Sequence, residues 1–170
     1  MRFSKIIRFS GTAACALILA SAAHAQEGGE VVLEIGGESV VFPLWNSQSD
    51  WSGSEHWATV NIYTRPTDET AWESYKGFTL GFELVNGVAQ YGEVDLTTAD
   101  GDELTRYYGE EGETDLTLTV ESYDVSGELL TLSGEITATM GTSETFGSDI
   151  DLSDPLDIAG TFTVTLGPVE

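Results

Sequence analysis

Phe78, Leu80, Phe82 and Leu84 fall on every second position of one short stretch, and Asn86-Gly87 follows almost at once. A repeat of two is that of a β-strand, whose successive side chains point to opposite faces. A helix would scatter the same residues around its circumference. Asn and Gly both tolerate positive φ, so the dipeptide closes a two-residue hairpin, and the chain returns from Val88 to Leu96. A chain with this at its centre is committed to antiparallel β structure.

The same period recurs along most of the chain. Val31, Leu33 and Ile35 alternate before a Gly36-Gly37 turn, and Val40, Phe42 and Leu44 alternate after it. Ala58, Val60 and Ile62 define a third strand, with Thr59, Asn61 and Tyr63 on its other face. A second hairpin runs from Leu116, Leu118 and Val120 through a turn at Asp124–Gly127 into Leu130, Leu132, Ile136 and Ala138. Ile158, Phe162, Val164 and Leu166 form the last strand, and Gly134 and Gly160 fall on inward positions, where glycine marks a bulge, a close approach of backbones or ordinary packing around a small residue. The expected fold is all-β, an antiparallel β-sandwich or small closed barrel of about eight or nine strands.

One segment breaks the pattern. Thr67–Gly77 has acidic residues in front, a Thr70/Glu73 capping-box pairing, Lys76 in the last turn and Gly77 as terminator, which predicts a short helix near 68–76. Trp72 and Tyr75, three apart, would share one of its faces. An outer-membrane barrel is a poor fit, because the outward positions carry Thr, Glu and Asp rather than an apolar band with aromatic girdles.

Residues 1–25 read as a secretory signal peptide of the Sec type. Arg2, Lys5 and Arg8 lead, an apolar run spans Ala13 to Ala23, and Ala23-His24-Ala25 gives a small-x-small cleavage pattern. The run is shorter than the roughly 18 residues of a spanning helix, so no membrane span is expected in the mature chain. Cleavage after Ala25 leaves residues 26–170 as a single all-β domain with no cysteine, because Cys15 leaves with the signal. All 29 acidic residues then face only Arg65, Lys76 and Arg106, for a net charge of −26. Nucleic acid is excluded as a partner, since its recognition depends on Lys and Arg contacts to phosphate. The destination is the periplasm or the extracellular medium.

Trp45, Trp51 and Trp57 lie within one polar stretch between two strands, with His56 beside the last of them. Tryptophan offers a broad amphipathic face that stacks on sugars or anchors a protein partner, and Trp45, Trp51, His56 and Trp57 are the candidate ligand contacts. The competing expectation is structural: Trp45 and Trp57 end their strands in the core and Trp51 folds down as a lid. Glu55 and His56 are adjacent, but strand neighbours point to opposite faces, so adjacency does not make an acid–base pair.

Asp149, Asp151, Asp154 and Asp157 form the densest acidic stretch. Asp149-x-Asp151-x-Ser153 matches the opening of a calcium loop, but Asp154 stands in place of the required Gly and Gly160 in place of the bidentate Glu. The competing reading is a solvated acidic loop before the last strand, and no cofactor other than Ca²⁺ is suggested. Nucleophile elbows, zinc-binding helices, phosphate loops and Cys/His sets are all missing from the sequence.

The acidic chain of Thr-rich strands, ending on Gly160–Leu166, is similar in composition to bacterial secreted β-domains, a likeness that implies no activity. Three functional expectations remain. The first is a non-enzymatic binding or structural module of the cell envelope or extracellular space, with a protein or carbohydrate partner. The second is a carboxylate-based polysaccharide hydrolase or lyase, which requires a cleft with two carboxyl groups roughly 5–10 Å apart flanked by aromatics. The third is a calcium-dependent binding module.

Overall fold

The computed structural model describes residues 27–169, so the signal-peptide expectation for 1–25 lies outside the described residues. The elements are β1 (Gly28–Ile35), β2 (Glu38–Pro43), β3 (Asp50–Ser54), β4 (Trp57–Thr64), α1 (Glu69–Ser74), β5 (Tyr75–Val85), β6 (Val88–Asp100), β7 (Glu103–Glu110), β8 (Leu116–Ser126), β9 (Leu129–Thr142) and β10 (Asp151–Leu166). They form one antiparallel sheet in the order β2-β1-β10-β9-β7-β6-β5-β4-β3, with β8 also pairing β9. The sheet is not closed. Its two ends nevertheless touch, through an antiparallel bridge between Leu44 and Thr64 and a parallel one between Trp51 and Pro168.

The alternation read from the sequence is the alternation of burial. Phe78, Leu80, Phe82 and Leu84 are buried, together with Val31, Leu33, Phe42, Ile62, Leu96, Leu132, Ile136 and Phe162, in one hydrophobic cluster. Each such side chain contributes about 1.5–3 kcal/mol by leaving water. Phe42 meets the rings of Tyr75 and Phe78, and Phe82 that of Phe162. Among the described residues no helix is long and apolar enough to cross a membrane.

Ten strands stand where eight or nine were expected, because β3 and β7 carry weak patterns. In β7 the inward positions are Thr105, Tyr107 and Gly109, which lack the aliphatic signature of a core face. β3 contributes Trp51 alone to the core. The acidic segment 149–157, expected as a loop, is largely the start of β10, whose pairing with β9 is irregular between Asp151 and Leu156.

Turns follow glycine. Asn86 and Gly87 both take positive φ, at 50° and 83°, in the two-residue β5–β6 hairpin that closes on the Val85–Val88 pair. The β8–β9 turn lies later than expected: β8 continues to Ser126 and the chain reverses at Gly127-Glu128. The helix is also shorter than the 68–76 expected. Asp68 caps it, accepting N–H groups from Thr70 and Ala71, and Gly77 lies in β5 rather than ending the helix. A carboxylate at this position both satisfies orphan donors and complements the helix dipole, an advantage over Thr70.

Candidate functional site

The solvent face of β4–β7 assembles residues far apart in the chain. Ile62, Leu80, Val94 and Leu96 point into the core, so their neighbours point outward. Strand pairing then places Tyr63 beside Thr79, Thr79 beside Asp95, and Asp95 beside Tyr108. A second row runs Asn61, Gly81, Glu93, Glu110, and Thr97 pairs with Arg106 on the far side. Trp45 extends the first row, its N–H donating to the Tyr63 carbonyl at 2.8 Å. At about 4.8 Å per strand, Trp45 to Tyr108 spans roughly 19 Å.

This face is grooved. A cleft of about 400 Å³ is lined by Thr79, Glu93, Asp95, Arg106, Tyr108 and Phe146, among others. A shallower depression of about 30 Å³ beside Asn61, Tyr63 and Gly81 shares Thr79 and Glu93 with it. The two therefore adjoin at Thr79 and Glu93. Gly81 makes the junction: a Cβ there would lie 2.8 Å from Glu93 Oε1, so the glycine lets the Glu93 side chain fold across the floor.

The segment after β9 forms the far wall. Ser143 Oγ accepts the N–H groups of Thr145 and Gly147 at 3.2 and 2.9 Å, and Asp149 accepts the hydroxyls of Ser143 and Thr145. This network presents Phe146, 75% exposed and held at φ 56°, over the cleft. Positive φ is unusual for a bulky aromatic residue and marks a locally strained backbone. The Arg106 guanidinium lies 5.1 Å from the Phe146 ring centre. Arg65 and Lys76 likewise lie over Trp45 and Trp72, at 4.3 and 5.1 Å. All three cations after residue 25 thus sit on aromatic faces.

Asp95 is the carboxyl most affected by the cleft. Burial raises its pKa above the ordinary value, while Tyr108, Arg106 and Thr97 pull it back; the Thr97 hydroxyl approaches at 3.4 Å. Burial likewise raises the Tyr108 hydroxyl, against the opposing pull of Arg106. An acid, a phenol and a guanidinium side by side can hydrogen-bond and orient a polar ligand, and the raised carboxyl is a group that can hold or release a proton.

The tryptophans expected to act together separate. Trp51 is buried at 6% exposure in β3, its Nε1–H donating to the Glu128 carbonyl at 2.9 Å. Trp45 and Trp57 stay exposed at 38% and 46% instead of ending in the core. Trp57 lies six positions along β4 from Tyr63, about 20 Å away, where its Nε1–H donates to Glu83 at 3.2 Å. His56 is exposed in the β3–β4 turn, and its carbonyl accepts the Asn86 N–H at 2.9 Å. None of the four lines either depression, and Trp45 adjoins the groove only through its backbone bond to Tyr63. Ser49 secures that link: its buried hydroxyl accepts the Tyr63 N–H at 2.9 Å and lies 3.1 Å from the Trp45 carbonyl.

The acidic stretch also disperses. Asp149 is engaged with Ser143 and Thr145, Asp157 accepts the Thr139 hydroxyl at 2.7 Å, and Asp154 is exposed. Asp151 accepts the Ser153 N–H, a bond that lowers its pKa. Among the described residues no three His, Cys, Asp or Glu side chains are grouped to hold a metal ion.

Asp95, Arg106, Tyr108 and Phe146 were not singled out from the sequence. The one available signal was Arg106, a rare cation in a chain of acids.

Fold and site together define an all-β protein with a grooved antiparallel sheet. No family model matches the chain, and no curated protein and no solved structure matches it.

Proposed function

We propose that this is an exported, non-enzymatic binding module of the cell envelope or extracellular space, and that the groove across β4–β7 is its contact surface. In this reading residues 26–170 act as one domain, its sheet curled into a sandwich-like body around the single hydrophobic cluster. The observation that carries it is the pair of adjoining depressions from Asn61 to Phe146, bordered by Tyr63 at one end and by Tyr108 and Phe146 at the other. Concave surfaces that mix aromatic faces with a few convergent polar groups are the usual form of a binding site.

Co-sedimentation with the envelope fraction of the producing cells tests it. Wild-type protein is expected to pellet with the envelope, Tyr63→Ala/Tyr108→Ala to stay in solution, and Trp72→Ala, outside the groove, to pellet normally. Normal pelleting of the double variant would remove the groove from the account.

A hydrolase is the second reading, favoured by one observation. Glu93 and Asp95 are two apart on one strand, which sets their Cα atoms about 6.6–6.8 Å apart, and aromatic residues flank them. Release of reducing ends from polysaccharide, abolished in Asp95→Asn, would establish it over the binding module; the leading reading expects no release.

A further inference from the structure

Resting on the groove as contact surface, we infer that its ligand is a strand of uncharged polysaccharide laid across β4–β7, with sugar rings against Tyr63 and Tyr108 and hydroxyls on Asn61, Thr79 and Glu93.

Three features support this class. The first is shape. The groove crosses the strands rather than following one and is open to solvent, its floor formed by Thr79 and by the Glu93 side chain over Gly81. An extended chain can enter it from the side, and about 14 Å separates Tyr63 from Tyr108, enough for several rings. A peptide strand added by β-pairing would instead need a free sheet edge, and these four strands lie inside the sheet with both neighbours paired.

The second is the chemistry of the lining. Pyranose rings have apolar C–H faces that pack on aromatic rings, and equatorial hydroxyls that both donate and accept. Tyr63 and Tyr108 supply aromatic surface with a polar tip. Glu93, Asp95 and the Asn61 amide oxygen accept hydroxyl protons, while Arg106 donates. Asn61 is held by its own bond from Nδ2 to Asp50 Oδ1, 2.8 Å, which fixes the amide and directs its oxygen.

The third is charge. A net −26 repels polyanions such as uronate or sulfated chains before they reach any surface. Cationic chains would be drawn to the acidic surface everywhere, without preference for this place. Within the groove Arg106 stands among Glu93, Asp95 and Glu110, so a polyanion is repelled there as elsewhere and a ligand with no charge of its own is not.

Affinity electrophoresis through gels containing one soluble polysaccharide at a time provides the test. The probes are a galactomannan, a xylan and a β-glucan as uncharged chains, alginate as a polyanion and chitosan as a polycation. Retardation is expected in at least one uncharged gel, unchanged by added NaCl, and absent with alginate. Tyr63→Ala and Tyr108→Ala should each weaken it roughly tenfold, the loss of one stacking ring. Thr79→Arg, which fills the floor and leaves both rings, should abolish it. Melting curves establish that each variant is folded. No retardation by any uncharged chain, or retardation indifferent to all three substitutions, would overturn the inference. Groove-dependent envelope pelleting without uncharged-polysaccharide binding would leave the contact surface standing and assign it to a protein. Salt-sensitive binding to chitosan alone would assign it to a cationic chain.

Discussion

Asp95 brings the groove's energetics to one side chain. Its carboxyl pairs across the strands with Thr79 and Tyr108, and burial raises its pKa despite Tyr108, Arg106 and Thr97. An acid with a raised folded pKa binds its proton more tightly folded than unfolded. Stability therefore falls as pH climbs from the ordinary carboxylate value, about 3.9, to the folded value, and the cost is complete above it. Asp95→Asn removes that ionisation and keeps the shape. Its melting temperature at pH 7 is expected to exceed the wild-type value, with the gap closing towards pH 4; parallel curves across that range would refute the assignment. Nothing in the sequence around Asp95 pointed to this. Its partners lie 16 residues before it and 13 after it, and only strand register brings the three together.

Elements were legible where one face is aliphatic and illegible where it is not. β5 announced itself through Phe78, Leu80, Phe82 and Leu84, whereas β7 turns Thr105, Tyr107 and Gly109 inward and left no stripe. The candidate ligand residues show the same division. Trp45, Trp51 and Trp57 were visible as a cluster because they are close in the chain, but a strand through Trp51 carries it into the core and leaves the other two far apart. Gly134 was recognised as an inward glycine, and its reason is now specific. It pairs with Val120 beside the irregularity between Val120 and Ser122, and a Cβ would lie 2.1 Å from the Thr119 carbonyl oxygen and 2.5 Å from the Phe162 ring. Gly134→Ala forces β8 away from β9 or displaces a core ring. The expected cost is about 1–3 kcal/mol, read as a lower urea midpoint, the range for overpacking a filled site. A midpoint within error of wild type would mean that the two strands yield freely.

Taken as a whole, the molecule after residue 25 is a β body carrying 29 carboxyl groups against three cations, each cation lying on an aromatic ring. Carboxylates so numerous repel one another at low ionic strength, where the Debye length is roughly 30 Å at 0.01 M against about 3 Å at 1 M. The melting temperature is expected to rise with NaCl over that range; a flat response would contradict unrelieved repulsion. Composition made the charge legible from the start, and the alternation of apolar residues did the same for the β class. The groove was not, since it exists only where four strands from Trp57 to Glu110 pair in register and the segment after β9 folds over them. Hydrogen–deuterium exchange of the protein, with and without solubilised envelope material from the producing cells, tests the contact surface most directly. The account predicts slower exchange confined to β4–β7 and residues 143–150. Protection centred on β8 or on the edge strands β2 and β3, with the groove unchanged, would contradict it.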